Sequence, residues 1–385
     1  MSLSFGPNRS SDLICLSHLR WNFVYQRPQH LMTRCARDRR VFFIEEPEYV
    51  HGVTPHFHVR AAGDVTVIVP QVPEGCADAT EQQRLILDDM MRRADIHDFV
   101  LWYYTPMAVA FTRHLAPMAT VYDCMDELSA FKNAPPALRE LDAELMQRST
   151  LVLTGGQSLY EARRHLHHNI HAFPSSVDVP HFAQARSLDL DPPDQAAIPH
   201  PRLGFFGVID ERMDLPLLAD IADARPDWQI VLIGPVVKID PASLPQRRNI
   251  HYLGGKTYEE LPHYIAGWDV ALLPFARNEA TQFISPTKTP EYMAAGKPVV
   301  STSIRDVVRP YGQQGLVQIA DDVPAFVRAC TAALHEDSET RQRRADAFLG
   351  QMSWEGTWSR IRALLDAATR PRHLTTAAAA DAVAV

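Results

Sequence analysis

Apolar residues along this chain fall into short unbroken runs, and between the runs they recur every three or four positions. The runs at 12–17, 40–45, 65–69, 99–104, 119–122, 151–154 and 170–173 have the length of strands buried on both faces. The stretches at 28–37, 81–94, 106–115, 136–148 and 157–166 have the period of helices. Short strands alternating with helices predict parallel pairing through right-handed crossovers. The segment 187–201, SLDLDPPDQAAIPHP, breaks the pattern and reads as a linker or domain-edge loop. The alternation then restarts, with strands expected at 202–209, 229–233, 250–253, 269–274, 298–301 and 316–319. Helices are expected at 215–224, 258–266, 291–295 and 323–334, and an amphipathic stretch follows at 357–365. The fold class expected is α/β: two doubly wound, Rossmann-like sheets facing each other across a cleft. In such sheets ligands bind at the carboxyl ends of the strands, where the strand order reverses.

Composition narrows the function. With 385 residues, 46% of them hydrophobic and 22% charged, the chain is long enough to bury a large core without staples. A formal net charge of −8 argues against nucleic acid as the main partner, since phosphate binding needs a basic footprint. Cys15, Cys35, Cys76, Cys124 and Cys330 contain no C-x-x-C pair and read as reduced thiols. The longest nearly apolar run, 100–111, is too short to span a bilayer and contains Pro106, and the start of the chain lacks a signal pattern. The expectation is a cytoplasmic protein, with peripheral contact at the inner face of the membrane left open.

The richest segment is 285–302, SPTKTPEYMAAGKPVVST. Proline is favoured at the first helical position, so Pro290 is expected at N1 with Thr289 as N-cap, and Gly296 fits the position just past the helix end. The helix start, with Lys288 beside it, is an anion site suited to a diphosphate, and Glu291 is placed to accept hydrogen bonds from ribose hydroxyls. After the strand at 202–209, Arg212 is a second candidate for neutralising a diphosphate, or else pairs with Asp210 or Asp214 on the surface. After the first strand comes SHLRWNFVYQRPQHLMTRCA, residues 17–36. Pro28 starts a helix, leaving His18, Trp21, Gln26 and Arg27 in a cleft-facing loop. There Trp21 would stack on a sugar face and Arg27 would meet an anionic acceptor or phosphate, unless Trp21, Phe23 and Tyr25 simply pack the loop. After the strand at 119–122, DCMDELSAF places Asp123, Asp126 and Glu127 at another carboxyl end, as a general base, as acceptor contacts, or as acids favoured by a helix start alone. His165, His167, His168 and His171 lack a Cys or acidic partner, so no metal is expected there.

Residues 285–302 resemble the nucleotide-sugar signature of GT-B glycosyltransferases, particularly the retaining family 4. In that family two glutamates separated by seven residues sit in the donor site. Glu291 matches the second, and the first falls on Phe283. The segment around Gly207 resembles the family's diphosphate loop, with Val208 where arginine is usual and Arg212 near the position of a lysine. Residues 17–36 are similar to the teichuronic-acid-type bacterial subgroup, and 173–182, FPSSVDVPHF, resemble the family's interdomain hinge. The resemblance implies an acceptor-side domain at 1–184, a nucleotide-sugar domain at 185–352 and a helix at 353–370 crossing back onto the first domain; 371–385 is read as a disordered tail. It implies a metal-independent hexosyl- or related transferase (EC 2.4) with a nucleoside-diphosphate sugar as co-substrate, UDP-sugar ahead of GDP-sugar. The acceptor is a glycan or lipid-linked molecule of cell-surface polysaccharide synthesis. Donor contacts are Gly207, Arg212, Ser285, Lys288, Thr289 and Glu291; catalytic candidates are His18, Asp123 and Asp126; acceptor contacts are Trp21, Gln26, Arg27 and Glu127. Two alternatives remain at this point: a nucleotide-sugar epimerase of the same fold, and a catalytically degenerate scaffold, the latter motivated by Phe283 and Val208.

Overall fold

A computed structural model describes residues 11–370; the tail expected at 371–385 lies outside the described residues. The first sheet is built in the order β1 (Asp12–Leu16), α1 (Arg27–Cys35), β2 (Val41–Ile44), β3 (Glu48–Val50), β4 (His56–Ala62), β5 (Val65–Pro73), α2 (Ala79–Arg93), β6 (Phe99–Tyr103) and α3 (Val109–Thr112). β7 (Ala119–Cys124), α4 (Leu138–Arg148), β8 (Leu151–Thr154), α5 (Gln157–Arg163) and β9 (Ile170–Ala172) complete it. Its strand order is β3-β5-β2-β1-β6-β7-β8-β9, all parallel, with β4 added antiparallel to β5. β1, β2, β6 and β8 are buried along their whole length, as unbroken apolar runs demand of strands covered by helices on both faces.

The second sheet follows α6 (Val179–Ala183): β10 (Arg202–Phe206), α7 (Leu215–Ala224), β11 (Gln229–Ile233), β12 (Ile250–Tyr252), α8 (Leu261–Ala266), β13 (Val270–Leu273), α9 (Lys288–Ala294), β14 (Val299–Ser301), α10 (Arg305–Val307) and β15 (Gln318–Ile319). Three helices close the chain: α11 (Val323–His335), α12 (Ser338–Leu349) and α13 (Trp354–Thr369). The order here is β12-β11-β10-β13-β14-β15, again parallel. In both sheets the order reverses beside the first strand, between β1 and β6 and between β10 and β13, which sets two crevices at the carboxyl ends of those strands.

Where the expectations differ from the structure, the cause is local. β4 is exposed along most of its length and carries no buried alternation to reveal it. α12 is almost entirely polar and buries just Ala345 and Leu349, with Phe348 packed beside them. The helix expected at 258–266 begins at Leu261, because Pro262 fits only its first turn. The one expected at 106–115 divides into a tight turn at Pro106–Ala108 and α3. The segment 187–201 is fastened to the second sheet: Trp268 donates to Gln195 at 3.0 Å, Gln195 donates to the Tyr264 carbonyl at 2.9 Å, and Asp191 pairs with Arg202 at 2.7 Å.

The chain passes twice between the sheets. Phe173 belongs to the first sheet's core, whereas Val177, Phe182 and Ala185 join the second's. On the return, Leu349 packs in the second core, and Trp354, Trp358, Ile361 and Leu365 of α13 pack in the first.

Candidate active site

The second sheet's crevice is opened by two glycines. Gly207, directly after β10, has φ +137°, and Gly234, directly after β11, has φ +144°, a region that side chains rarely tolerate. A β-carbon at Gly234 would lie 1.8 Å from the Gly207 carbonyl oxygen, and one at Gly207 would lie 2.1 Å from Lys288 Cε. The Lys288 side chain therefore lies directly on bare backbone at the end of β10. α9 begins at Lys288, with Thr287 and not the expected Thr289 as its N-cap. Pro290 falls at N3, which still removes no helical hydrogen bond because the first four N–H groups have no intrahelical acceptor. Gly296 follows the helix with φ +78°, as expected of that position.

Lys288 and Glu291 face each other in a desolvated setting. Burial pulls the Lys288 ammonium down from its ordinary range, although Glu291 supports its charge. Burial pushes the Glu291 carboxyl up to about 7, against the pull of Lys288 and of the Thr287 hydroxyl. Glu291 Oε2 and Thr289 Oγ1 are sealed from solvent and have no hydrogen-bond partner among the described residues. Buried polar atoms are satisfied in the great majority of folded proteins, so two such atoms two residues apart in the first turn of α9 mark an unfinished network.

Arg212 joins this cluster from the loop after β10. It is held by Asp210, Nε to Oδ1 at 2.9 Å and Nη2 to Oδ2 at 2.6 Å, and its guanidinium rests 5.4 Å from the Phe131 ring centroid. Lys238 lies on the same ring at 5.3 Å. Asp214 instead caps α7. Across the crevice, Asp126 faces Arg212 and Lys288; burial pushes its carboxyl up, and those two cations draw it back. Ser285 packs against Gly156, where a β-carbon would lie 2.8 Å from Ser285 Cβ, and Asp306 accepts the Ser158 N–H at 3.0 Å. Phe283, at the position of the family's first glutamate, packs on the core of the first sheet.

The first-sheet candidates scatter. Arg27 does not reach the cleft: it is the first residue of α1, 1% exposed, and is paired with Asp123, itself 0% exposed, at 2.9 Å. The Arg27 Nη1 also donates to the Phe173 carbonyl at 2.6 Å. Burial raises the Asp123 carboxyl while Arg27 opposes it. This closed pair has no room for a substrate, which corrects both the acceptor role expected of Arg27 and the catalytic role expected of Asp123. Trp21 is 8% exposed, edge-on to Phe43 with centroids 5.0 Å apart, so it is core and not a sugar platform. Glu127 is tied to Arg163 at 2.6 Å and to the Ser129 hydroxyl at 2.7 Å, and Arg163 is shared with Asp142. Gln26 is the N-cap of α1, and its N–H donates to Gln29 Oε1 at 3.1 Å. His18 follows β1 at the crevice; burial pulls its imidazole down to about 4, so the ring is neutral near pH 7, and its Nδ1 has no partner among the described residues. The histidines at 167 and 171 serve local contacts, with the Ser149 carbonyl and Asn169, each at 2.9 Å.

Tyr258 was not among the candidates. Its ring stacks on His181 at 4.0 Å and meets Tyr25 at 4.7 Å, its hydroxyl has no partner among the described residues, and the Glu291 carboxylate acts on it. It stands in a polar loop, TYEELP, whose only sequence signal is the turn that precedes α8.

Lys288 on glycine-opened backbone, Arg212 held nearby by Asp210, a carboxylate one turn further and an acid from the facing sheet suit a dianionic ester with hydroxyls attached. Comparison with known proteins agrees with this geometry. The TuaH protein of Bacillus subtilis (strain 168), whose name assigns it to teichuronic acid biosynthesis as a glycosyltransferase, is 24% identical over 261 residues. That match takes in 62% of this chain and 64% of the relative. Sucrose-phosphate synthase from Thermosynechococcus elongatus superposes with a TM-score of 0.71 at 12% identity, over 93% of this chain and 99% of that one. Anabaena HepE, in complex with UDP-glucose, superposes with a TM-score of 0.67 at 13% identity, over 93% of this chain and 100% of that one. Residues 200–336, which carry Gly207, Arg212, Lys288 and Glu291, match the family Glycosyl transferases group 1. Two doubly wound sheets, the second of them carrying the segment that matches the Glycosyl transferases group 1 model, place the chain in the GT-B fold.

Proposed function

We propose that this protein transfers a sugar from a nucleoside-diphosphate sugar, UDP-sugar foremost, to a hydroxyl of a glycan or lipid-linked acceptor, with retention at the anomeric carbon. The setting is cell-surface polysaccharide synthesis on the cytoplasmic side of the membrane; no helix among the described residues is long and apolar enough to cross it. The observation that carries the reading is the Lys288 ammonium lying on the bare backbone of Gly207 with Glu291 and Arg212 both acting on it. In this reading Lys288 and Arg212 neutralise the diphosphate as it leaves, a stabilisation strongest in a dry, preorganised site. Glu291 accepts hydrogen bonds from the ribose diol. Asp126 faces the same two cations, so a bound diphosphate takes over its partners and frees the carboxylate for the acceptor hydroxyl. The UDP-glucose complex of HepE and the biosynthetic name of TuaH support the donor and the setting.

The test is thermal stability with UDP, GDP, ADP and CMP, since a ligand at 100 times its Kd adds about 2.7 kcal/mol to the folded state. UDP should give the largest upshift, and Lys288→Ala or Glu291→Ala should abolish it. No shift with any nucleotide, in folded protein, would overturn the donor site.

A further inference from the structure

A cavity of about 310 Å³ opens at the first sheet's own crevice, between the carboxyl ends of β1, β2 and β6, where the strand order reverses. None of the four acceptor residues expected from the sequence lines it. Its floor is apolar, with Leu16, Ile44, Met107 and Phe111. Its polar lining is Tyr49, Gln83, Thr105 and two adjacent acids, the buried Glu45 and the exposed Glu46. Hydrogen-bonding groups above an apolar floor fit a pyranose ring, which has hydroxyl edges and C–H faces.

The charge of the lining is one-sided: among the described residues no lysine, arginine or histidine belongs to it. Glu45 is already engaged, by the Trp21 N–H at 2.8 Å and by Arg20 and Arg60 at 3.1 and 3.2 Å. Arg20 is spent on that contact and on the Glu46 and Pro47 carbonyls, at 2.6 and 3.3 Å. The Glu46 carboxylate accepts no hydrogen bond among the described residues, and burial pushes it up. Arg27, the cation expected to greet an anionic acceptor, is sealed against Asp123. The cavity adjoins the donor crevice: Ser17 and Thr105 in its wall precede His18 and follow Tyr104, and Lys238 of the second sheet acts on both His18 and Glu46.

We propose that this cavity holds the terminal sugar of the acceptor and selects it as an uncharged pyranoside, with Glu46 accepting hydrogen bonds from its hydroxyls. A phosphate or carboxylate on the ring would lie beside Glu45 and Glu46 with no lysine, arginine or histidine among the described residues of the lining, and like charges at that range disfavour the anion. The assignment rests on the donor reading for its role, but acceptor binding is measurable without a donor.

Saturation-transfer NMR on the full chain, with methyl glucopyranoside, methyl galactopyranoside, glucose 6-phosphate and glucuronate as probes, tests it. Saturation should reach the neutral pyranosides and not the two anions. Glu46→Lys should weaken pyranoside binding tenfold or more and bring the anions up to detectable binding. Met107→Trp, which fills the floor, should remove binding of every probe. Saturation of glucose 6-phosphate or glucuronate equal to that of the pyranosides, or of no probe at all, overturns the proposal. So does a Glu46→Lys protein that binds the pyranosides as the native chain does. Pyranoside binding in a protein that takes up no nucleotide would count against the donor reading alone.

Discussion

Two pairs of opposite charges sit near the carboxyl ends of the two sheets, and they are built differently. Arg27 and Asp123 close on each other inside the first sheet's core, reinforced by the Phe173 carbonyl. Lys288 and Glu291 keep part of their surface open at the crevice, the carboxylate has an unpartnered oxygen and the ammonium lies on bare glycine backbone. A closed pair serves stability, and an open one with a shifted carboxyl is available to a ligand. By the residue types alone, Arg27 was as good a ligand-binding candidate as Lys288. What separates them is that Arg27 is closed onto a buried carboxylate by direct contact, whereas Lys288 stays partly open at the crevice.

The contrast can be broken first at the closed pair. Arg27→Met leaves Asp123 buried and uncompensated, which should lower stability by about 3–5 kcal/mol, and adding Asp123→Leu should recover most of that loss. Urea denaturation of the three proteins measures it; a single substitution costing under about 1 kcal/mol would mean the pair is not the anchor its geometry indicates. Next comes Lys288→Ala, which should reduce turnover of a nucleoside-diphosphate sugar by about 10²–10³-fold while leaving the melting temperature unchanged or higher. A large drop in melting temperature with little loss of turnover would assign Lys288 to the scaffold instead. Gly207→Ala should cost about 1–3 kcal/mol in stability through its positive φ and should also displace Lys288, reducing the nucleotide upshift. The smallest effect is on pH dependence. Because the folded-state pKa of Glu291 is raised to about 7, its contribution to stability is fully present below about pH 4.5 and lost as pH rises through 7. Glu291→Gln should remove that slope, and nucleotide binding, which draws on the ionised carboxylate, should strengthen over the same interval in the native chain.

The two doubly wound sheets were legible because their strands are apolar on both faces and their helices are not. The clustering of Lys288, Glu291 and Gly296 about one short helix was legible as well, since they lie within one segment, although the helix starts two residues before Pro290 and is capped by Thr287. The first half's site was not. Arg27 and Asp123 are 96 residues apart, and nothing local in either says that they meet. Pro28 did mark the helix start, but the helix begins one residue earlier, which is enough to carry Arg27 from a loop into the core. The acceptor cavity was invisible for a related reason: Ser17, Glu46, Gln83 and Thr105 come from four separate segments, and only the reversal of strand order gathers them.

The return of α13 onto the first sheet bears on how the protein is made. Trp354, Trp358, Ile361 and Leu365 finish a core whose last strand, β9, ends at Ala172. On a ribosome adding 5–20 residues per second, that core stands uncovered for roughly 10–40 s while the second sheet is translated. Over that interval the apolar face presented by Leu31, Val41 and Val121 is a natural target for chaperones, and residues 1–184 produced alone would keep it exposed for good.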